Sequence, residues 1–388
     1  MAKSRSPLLF AVGVLAIYLA AIVPVLLRHG FDTSTFIVAG DHYVDATQLP
    51  SPIDVRPNSD GYDGQFYYRL ALAPFDLRQP LDGIKIDAPV YRMQRMVYPV
   101  LAWAASLGEP RLVPLALLLI NLAGLAAIAL LAARLIRRLE LPALVPFAIV
   151  LWPGFVVTLT HDTTEILSTA LLMAALDRYF AGRLVVFVAL GAIATLTRET
   201  TALVLGGLFI YELLLQRNWA RIVLCAVALV PVVIWRQTLA TIWGATPSSA
   251  AIDVLTWPML GIVDAFRSIL FGDYVAATGI KGAILRAYAF VSIAFLVGFS
   301  ALTVSRFASA RKVLVAGWLP SVALMAVLGA NGPWIEPIGF FRAFTECWVV
   351  GCLLFDARVA QSRLALPALA TLLLIWIGAA WQTTSAIN

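Results

Sequence analysis

Apolar windows recur along the whole chain, and short polar connections separate them. Each window holds roughly 20 apolar residues, enough for an α-helix to cross the hydrocarbon layer of a bilayer. They predict about eleven transmembrane helices, at residues 8–27, 112–133, 142–160, 164–181, 184–197, 200–215, 220–243, 283–304, 313–330, 340–355 and 364–382. Such windows are too long for barrel strands, so the predicted fold is an all-α polytopic membrane protein.

Composition agrees with a membrane protein and argues against a soluble one. Of the 388 residues, 61% are hydrophobic and only 13% are charged, whereas soluble domains carry about 25% charged residues. The first apolar run ends at Arg28 without a small-residue cleavage site, so we expect it to be retained as a helix. No internal repeat or low-complexity linker divides the chain, and residues 1–388 are predicted to form a single integral membrane domain.

Basic residues fall on alternate connections between the predicted helices. They are Lys3, Arg5, Arg134, Arg137, Arg138, Arg178, Arg183, Arg217, Arg221, Arg306, Arg311, Lys312, Arg358 and Arg363. By the positive-inside rule these connections face the cytoplasm, which places the N-terminus inside and the C-terminus outside. The basic pI of the chain therefore reflects cytoplasmic loops and not nucleic-acid binding. A multi-pass protein of the bacterial inner (cytoplasmic) membrane is predicted.

The cysteines and histidines predict neither a disulfide framework nor a metal centre of their own. Cys225, Cys347 and Cys352 all lie inside apolar segments, where we expect them to be small buried side chains. The histidines have no spacing typical of zinc ligands.

Two connections on the outer side are longer than the others, about 28–111 and 244–282. The second carries aromatic residues among few charges and is predicted to lie along the membrane interface. The first begins with an irregular stretch, 30–59. Two segments with apolar residues at helical spacing follow, Tyr62–Ala73 and about 91–107. Both are predicted to be amphipathic helices that lie flat on the membrane surface.

Candidate chemistry concentrates at the start of the first of these helices. The segment reads Asp60-Gly61-Tyr62-Asp63-Gly64-Gln65-Phe66-Tyr67-Tyr68-Arg69. A sugar on a polyprenyl phosphate has its reactive carbon at headgroup level, and its transfer needs a carboxylate base. We therefore predict Asp63, with Asp60, as the catalytic carboxylates, and Tyr67 and Tyr68 as stacking surfaces for sugar rings. The same spacing also fits a helix-capping pair, with Asp60 at the N-cap and Asp63 reaching back.

Three arginines are candidates for holding the phosphate of such a donor. Arg92 and Arg95 stand one helical turn apart at the start of the second predicted loop helix. Arg342 lies within an apolar aromatic run at the start of a predicted membrane helix. An arginine at membrane depth is costly and usually faces a polar cavity. An ion pair between Arg342 and Glu346, four residues on, is the alternative explanation.

Five more polar residues stand at predicted outer helix ends and are expected to bind substrate in the same cleft. They are His161, Asp162, Glu165, Arg198 and Glu199. Asp162 and Glu165 also fit a capping box, and an adjacent Arg-Glu pair also fits a solvated turn.

A divalent cation is a further candidate component of the site. The carboxylates of Asp60, Asp63 and Asp162 offer the oxygen ligands that hard cations prefer. The chemistry does not require a cation, because a lipid monophosphate is an adequate leaving group once arginine pairs with it.

Two segments of the first loop resemble a known family. Tyr62-Asp63-Gly64-Gln65-Phe66-Tyr67-Tyr68-Arg69-Leu70-Ala71 is similar to the Trp-Asp-x-x-Trp/Phe-Tyr-x-x-Ile-Ala segment of GPI-anchor mannosyltransferases and their bacterial relatives. Tyr91-Arg92-Met93-Gln94-Arg95-Met96-Val97-Tyr98-Pro99 looks like the Arg-x-x-Tyr-Pro segment of that group. These proteins belong to the GT-C superfamily of membrane glycosyltransferases, which place an essential Asp just after the first helix.

The resemblance covers about residues 60–105 and the general layout of helices, and it carries the essential Asp onto Asp63. It implies an inverting hexosyl- or pentosyltransferase whose active site faces the periplasm or the outside. The implied donor is a polyprenyl-phosphate-linked sugar, with membrane lipids around it and a glycan, lipid or protein as acceptor. It says nothing about which sugar is moved.

Two other classes of function remain open from the sequence. A transporter or flippase for lipid-linked glycans predicts charges near mid-membrane, broken helices and often inverted repeats. An O-antigen-type polymerase or ligase resembles this chain in hydropathy but typically keeps its large outer loop late in the chain. The long first loop centred on an Asp favours the transferase.

Overall fold

The computed structural model describes residues 7–246, 254–271, 274, 277–305, 307, 310–329, 332–356 and 362–387. Helices make up 73% of the structure and strands 3%, which confirms the all-α prediction. The basic residues Lys3, Arg5, Arg306 and Arg358, used above to assign the sides of the membrane, lie outside the described residues.

Seventeen α-helices follow one another along the described residues. They are α1 Pro7–Arg28, α2 Gly64–Leu72, α3 Pro89–Arg92, α4 Val97–Ala105, α5 Val113–Leu139, α6 Val145–Val150, α7 Pro153–Thr160, α8 Glu165–Phe180, α9 Leu184–Thr197, α10 Thr201–Tyr211, α11 Trp219–Trp243, α12 Leu260–Phe271, α13 Gly279–Val304, α14 Lys312–Val327, α15 Pro337–Ala343, α16 Thr345–Cys352 and α17 Ala365–Ala386. A turn of π-helix, Glu212–Gln216, continues α10. Two short parallel strands, β1 Ala39–Gly40 and β2 Val55–Arg56, pair within the first loop.

Five helices in the described part of the chain are long and apolar enough to cross a membrane. They are Pro7–Arg28, Pro110–Leu139, Trp219–Trp243, Gly279–Val304 and Ala365–Ser385. Four shorter apolar helical stretches accompany them, namely Val145–Thr160, Leu184–Thr197, Thr201–Gln216 and Lys312–Val327. The chain is therefore a helical membrane protein by the length and composition of its helices.

The helices pack into one bundle around a common apolar core. Helix α5 packs against α1 and α8, α9 packs against α8 and α11, and α10 packs against α14. The sulfur-bearing side chains of Cys225, Cys347 and Cys352 are free and buried, as the sequence predicted. The long apolar segments supply the helix faces that pack against one another in this core.

The first loop is a folded layer against one end of the bundle. Its own apolar core, which includes Ile37, Tyr67 and Tyr98, continues onto Val113 and Leu117 at the start of α5. The loop therefore holds a fixed shape over the helix ends, although its first part has little regular structure.

The prediction that the two loop helices lie on the membrane surface is wrong for the first of them. Helix α2 is buried along Gly64–Ala71, including the polar side chains of Gln65 and Arg69. The predicted helix at about 91–107 is instead two helices, α3 and α4, separated at residues 93–96. The apolar face of α2 packs on the rest of the protein, whereas Trp103 and Leu107 of the second predicted helix are 42% and 90% exposed.

Two predicted membrane helices are broken rather than continuous. The segment 142–160 divides into α6 and α7 because Trp152, before Pro153, adopts an extended conformation, as residues before proline prefer. The segment 340–355 divides into α15 and α16 at Phe344. Apolar periodicity alone did not reveal either break.

The second outer loop contains α12, and Trp257 before it and Phe271 at its end are largely exposed. Residues 247–253, 272–273 and 275–276 of the predicted interfacial loop lie outside the described residues.

Candidate active site

Asp63 lies where the first loop meets the broken helices. Gly64, the first residue of α2, approaches the backbone so closely that a Cβ there would lie 2.5 Å from the carbonyl oxygen of His161 and 2.6 Å from that of Ile37. Only glycine tolerates such an approach. It brings the Asp63 carboxylate next to the connection between α7 and α8.

Two arginines from distant parts of the chain hold the Asp63 carboxylate. Arg92 Nη1 donates to Oδ1 at 2.6 Å and Arg342 Nη2 donates to Oδ2 at 2.8 Å. Arg95 Nη1 lies 4.0 Å from the same Oδ2. The three predicted phosphate ligands therefore meet around the predicted base.

The capping explanation of the two aspartates is wrong. Asp63 precedes α2 but makes no side-chain capping bond, because both of its oxygens are taken by arginines. Asp60 does not join the cluster: its side chain is 79% exposed and pairs with His42 at 2.8 Å. Of the two predicted catalytic carboxylates, only Asp63 lies among the arginines.

A second carboxylate anchors each arginine that contacts Asp63. Asp87 accepts two hydrogen bonds from Arg92, from Nε and from Nη2, both at 2.9 Å. Glu165 accepts from Arg342 Nε at 3.0 Å. Because these anchors are independent of Asp63, the guanidinium groups stay placed if Asp63 moves away.

Arg95 is anchored by the turn between α9 and α10. Its Nε and Nη2 form a two-pronged pair with Glu199 at 2.8 and 2.6 Å. Its Nη1 donates to the Tyr67 hydroxyl at 3.0 Å, and Nη2 also donates to that of Tyr91 at 2.7 Å. Bidentate geometry of this kind orients a guanidinium firmly.

Arg198 and Glu346 form the floor of the cluster. Arg198 Nη1 donates to Glu346 Oε2 at 2.6 Å, and its Nη2 donates to the backbone oxygen of Arg342 at 2.9 Å. Thr200 completes the contacts of Glu346 at 3.0 Å. The solvated-turn explanation of Arg198 and Glu199 and the proposed pair of Arg342 with Glu346 are therefore both wrong.

Exposure falls steadily from Asp63 towards the floor. The side chains of Asp63 and Arg92 are 15% and 16% exposed, whereas those of Glu165 and Glu346 are 0% and 2% exposed. A ligand from solvent thus reaches the Asp63 side first. The buried pairs beneath it are fully matched in charge, as buried ions need to be.

The arginines decide the charge of Asp63. Burial by itself raises the pKa of a carboxyl group, but Arg92, Arg342 and Arg95 outweigh burial and hold the pKa of Asp63 well below its usual range. In this arrangement Asp63 is a firmly ionised carboxylate and a weak proton acceptor. Removing the arginines from it would leave a partly buried carboxylate with a raised pKa.

His161 and Asp162 lie in the connection between α7 and α8, where burial disfavours the charged form of both. Burial, followed by the charge of Arg342, lowers the pKa of His161 to about 3. Burial raises the pKa of Asp162 well above its usual range. Asp162 also has a φ of 44°, and neither of its carboxyl oxygens has a hydrogen-bond partner among the described residues.

The capping box predicted for Asp162 and Glu165 is absent from the described structure. The N-cap of α8 is Thr164, and Glu165 binds Arg342 instead. A left-handed, unpartnered and buried acid such as Asp162 is typical of functional sites.

Aromatic rings surround the charged groups. Tyr62 packs on the ring of His161 at 4.6 Å between centroids, and the Arg342 guanidinium lies 4.9 Å from the centre of the Tyr62 ring. Tyr67 reaches the cluster through its hydroxyl group. Tyr68 does not: it packs in the core of the loop, and its hydroxyl has no partner among the described residues.

The sequence reasoning missed Tyr62, Asp87, Tyr91 and Thr200 as members of the cluster and assigned Glu346 to the wrong arginine. Tyr62 and Tyr91 are the first residues of the two segments that carry the family resemblance, which was an available signal. Asp87 and Thr200 gave no signal, because their roles depend on contacts across the chain.

The proposed cation site of Asp60, Asp63 and Asp162 does not form. Within the described residues no group of three or more His, Cys, Asp or Glu side chains is arranged to hold a metal ion. Asp63 pairs with Arg92 and Arg342, and the exposed Asp60 pairs with His42, so these two acids are not arranged around a common point with Asp162.

Comparison of the chain with protein-family models, with curated proteins and with solved structures found no match. The similarity of residues 60–105 to GT-C glycosyltransferases therefore stays a prediction from the sequence motifs. The geometry of the cluster is what any functional proposal has to explain.

Proposed function

We propose that this protein is an inverting GT-C-type glycosyltransferase that crosses the membrane eleven times. It moves a hexosyl or pentosyl group from a polyprenyl-phosphate donor to a glycan, lipid or protein acceptor. The active site faces away from the cytoplasm, with the N-terminus inside and the C-terminus outside. The cluster around Asp63 is that active site.

One observation carries the proposal: a single carboxylate, Asp63, lies between two arginines that other acids hold in place. A phosphate oxyanion has the charge and the hydrogen-bond acceptors to take the place of that carboxylate between Arg92 and Arg342. When phosphate replaces the carboxylate between Arg92 and Arg342, the arginines keep an anionic partner and Asp63 is released from them.

The transfer step then uses the freed carboxylate. The acceptor hydroxyl oxygen forms a bond to the anomeric carbon, and the bond from that carbon to the phosphate oxygen breaks with inversion. The hydroxyl proton passes to Asp63, whose pKa burial raises once the arginines hold phosphate. The polyprenyl phosphate leaves with the bonding electron pair, and Arg92, Arg95 and Arg342 balance its charge.

The first test is sugar transfer by purified protein from a panel of labelled polyprenyl-phosphate sugars. We expect Asp63→Asn to lower the rate by at least about 100-fold, the usual contribution of a general base. Asp60→Asn is the matched control, because it removes an exposed acid outside the cluster, and it should keep nearly the full rate. Equal rates in the two variants would remove Asp63 from the mechanism.

A transporter or flippase for lipid-linked anionic glycans is the second candidate. Two observations support it: the segments 142–160 and 340–355 are each broken into two helices, and Arg342 and Glu346, on either side of the second break, are buried. Discontinuous helices beside buried charges are common in transporters. The absence of a visible sequence repeat counts against this class.

Reconstituted vesicles separate the two candidates. Movement of a fluorescent polyprenyl-phosphate sugar between leaflets without any glycosidic bond formation would favour the transporter. Product formation in detergent, where no membrane separates two sides, would favour the transferase.

A further inference from the structure

A second charged cluster lies at the opposite end of α8 from Glu165. Asp177 is fully buried there, and Arg134 Nε and Arg138 Nε lie 3.1 and 2.9 Å from its Oδ1. Arg178 Nη2 contacts the other carboxylate oxygen. Three arginines therefore share one acid, and the cluster keeps a surplus of positive charge.

The buried acid positions the arginines more than it neutralises them. Arg134 and Arg138 use their Nε atoms on Asp177, and their Nη groups make no hydrogen bond within the residues that the structure describes. The side chains of these two arginines are 48% and 28% exposed. Two guanidinium groups on adjacent turns of α5 thus present free donors to the surroundings.

The location sets the kind of ligand. Arg134 and Arg138 lie in the last two turns of α5, a helix long and apolar enough to span a membrane. The end of a spanning helix lies at headgroup level. Basic pockets between helix ends at that level bind the phosphates of anionic lipids, and guanidinium groups match phosphate geometry well.

We propose that Arg134, Arg138 and Arg178, oriented by Asp177, form a binding site for the phosphodiester headgroup of an anionic phospholipid. The site is separate from the cluster around Asp63 and does not depend on the glycosyltransferase proposal. A bound headgroup balances the surplus charge and fixes the ends of α5 and α8 against the bilayer.

The alternative explanation is that these arginines only make the surface positive. Arg137 allows the two explanations to be separated, because it lies on the same helix, is exposed and makes no contact with Asp177 among the described residues. If the surface charge alone attracts the lipid, replacing Arg137 or Arg138 should weaken lipid binding equally. If the arginines form a specific site, only replacement of Arg138 should weaken it.

The experiment is native mass spectrometry of the full chain in detergent with added phosphatidylglycerol, and phosphatidylcholine as the zwitterionic reference. We expect Arg138→Gln to weaken phosphatidylglycerol binding by about tenfold or more, because it removes charge-assisted hydrogen bonds to the phosphate. Arg137→Gln should stay within about twofold of the wild type. Equal losses in both variants would overturn the proposal.

Asp177→Asn gives a second test, because the two explanations predict opposite changes in lipid affinity. It adds positive charge to the surface, so a general surface attraction predicts tighter binding. A built site predicts weaker binding, because the arginines lose their common anchor. Elution volume and apparent Tm establish that each variant is folded, and Arg138→Lys, which keeps the charge, replaces Arg138→Gln if that variant unfolds.

Inorganic phosphate distinguishes the source of the anion. A lipid site keeps its phosphatidylglycerol in millimolar phosphate, whereas a site for free phosphate releases it. Wild-type protein that binds phosphatidylglycerol and phosphatidylcholine equally well, with phosphate causing no displacement, would rule out a phosphate site here.

Discussion

Asp63 is a residue whose chemistry its neighbours control. Alone in a partly buried place it would hold a proton readily, but three arginines keep it ionised. In the proposed transferase, Asp63 would act as a base only after its arginines bind the donor phosphate. This proposed coupling between donor binding and base strength follows from Coulomb interactions at short range.

This coupling predicts different pH profiles for kcat/KM and kcat. The pKa of Asp63 is depressed in the free enzyme, so kcat/KM should show no loss from its protonation down to about pH 4, the ordinary value for an aspartate. In the donor complex the phosphate takes over the hydrogen bonds of the arginines, and the pKa of Asp63 rises. The acid limb of kcat should therefore lie at higher pH than that of kcat/KM. Steady-state rates measured across pH with saturating and limiting donor test this. Acid limbs that coincide would contradict the coupling.

Asp162 and Arg342 are both buried, yet replacing each by a neutral amide should affect stability differently. Burial raises the pKa of Asp162 and disfavours its charged form, and asparagine tolerates its left-handed backbone conformation well. Asp162→Asn should therefore leave the apparent Tm nearly unchanged while altering activity if the residue acts in the site.

Arg342→Gln should be strongly destabilising, because it leaves Glu165 and Asp63 short of a cation. Breaking a buried ion pair in this way costs about 3–5 kcal/mol. Thermal unfolding in detergent compares the two variants directly. A large loss of Tm in Asp162→Asn would mean that the acid is charged or bonded after all.

At the scale of elements, the two broken helices brace each other. Gly154 at the start of α7 lies so near α15 that a Cβ would be 2.4 Å from the Phe341 carbonyl oxygen. Trp152 Nε1 donates to that oxygen at 3.0 Å and to Thr345 Oγ1 at 3.1 Å. The Phe341 carbonyl lies just before the break at Phe344, and Trp152 supplies the hydrogen bond that this buried carbonyl requires.

Trp152→Phe tests whether this bracing places Arg342. The change keeps the ring but removes the N–H donor, whose hydrogen bond is worth about 0.5–1.5 kcal/mol. We expect donor affinity to fall roughly threefold to tenfold, with the catalytic rate at saturation affected less. Trp381→Phe, at a half-exposed tryptophan of α17, is the control. An unchanged donor KM in Trp152→Phe would show that Arg342 is placed independently.

The whole molecule has chemically different ends. Asp63 and its arginines gather at one end of α8, and Asp177 with Arg134, Arg138 and Arg178 at the other. The Arg311 guanidinium joins the second end through the carbonyl oxygen of Leu139. These four arginines come from three of the basic connections that were predicted to share one side of the membrane.

Cysteine labelling from one side of the membrane tests the proposed orientation. Asp60→Cys and Arg137→Cys place thiols at exposed positions near opposite ends, and the native cysteines are buried. In intact spheroplasts an impermeant maleimide should label the first and not the second. Permeabilised cells should allow both. Labelling of Arg137→Cys alone in intact spheroplasts would show that the protein has the opposite orientation in the membrane.

The sequence by itself determined the fold class and much of the candidate site. Long apolar windows permit only helices in a bilayer, and the burial of the cysteines followed from the same windows. Asp63, Arg92, Arg95 and Arg342 could be selected because acids and arginines are costly near membranes and need a reason to be there. The short motifs around Asp63 and Arg92 then suggested a class of chemistry.

Only the tertiary structure decided how these residues pair. Local spacing suggested caps for Asp63 and Asp162 and a pair of Arg342 with Glu346, whereas the observed partners lie far along the chain. Hydrophobic periodicity likewise missed the burial of α2 and the breaks at Trp152 and Phe344. Hydrophobic periodicity depends only on the polarity of residues within one segment. The partners of a charged side chain depend on which segments come together in the fold.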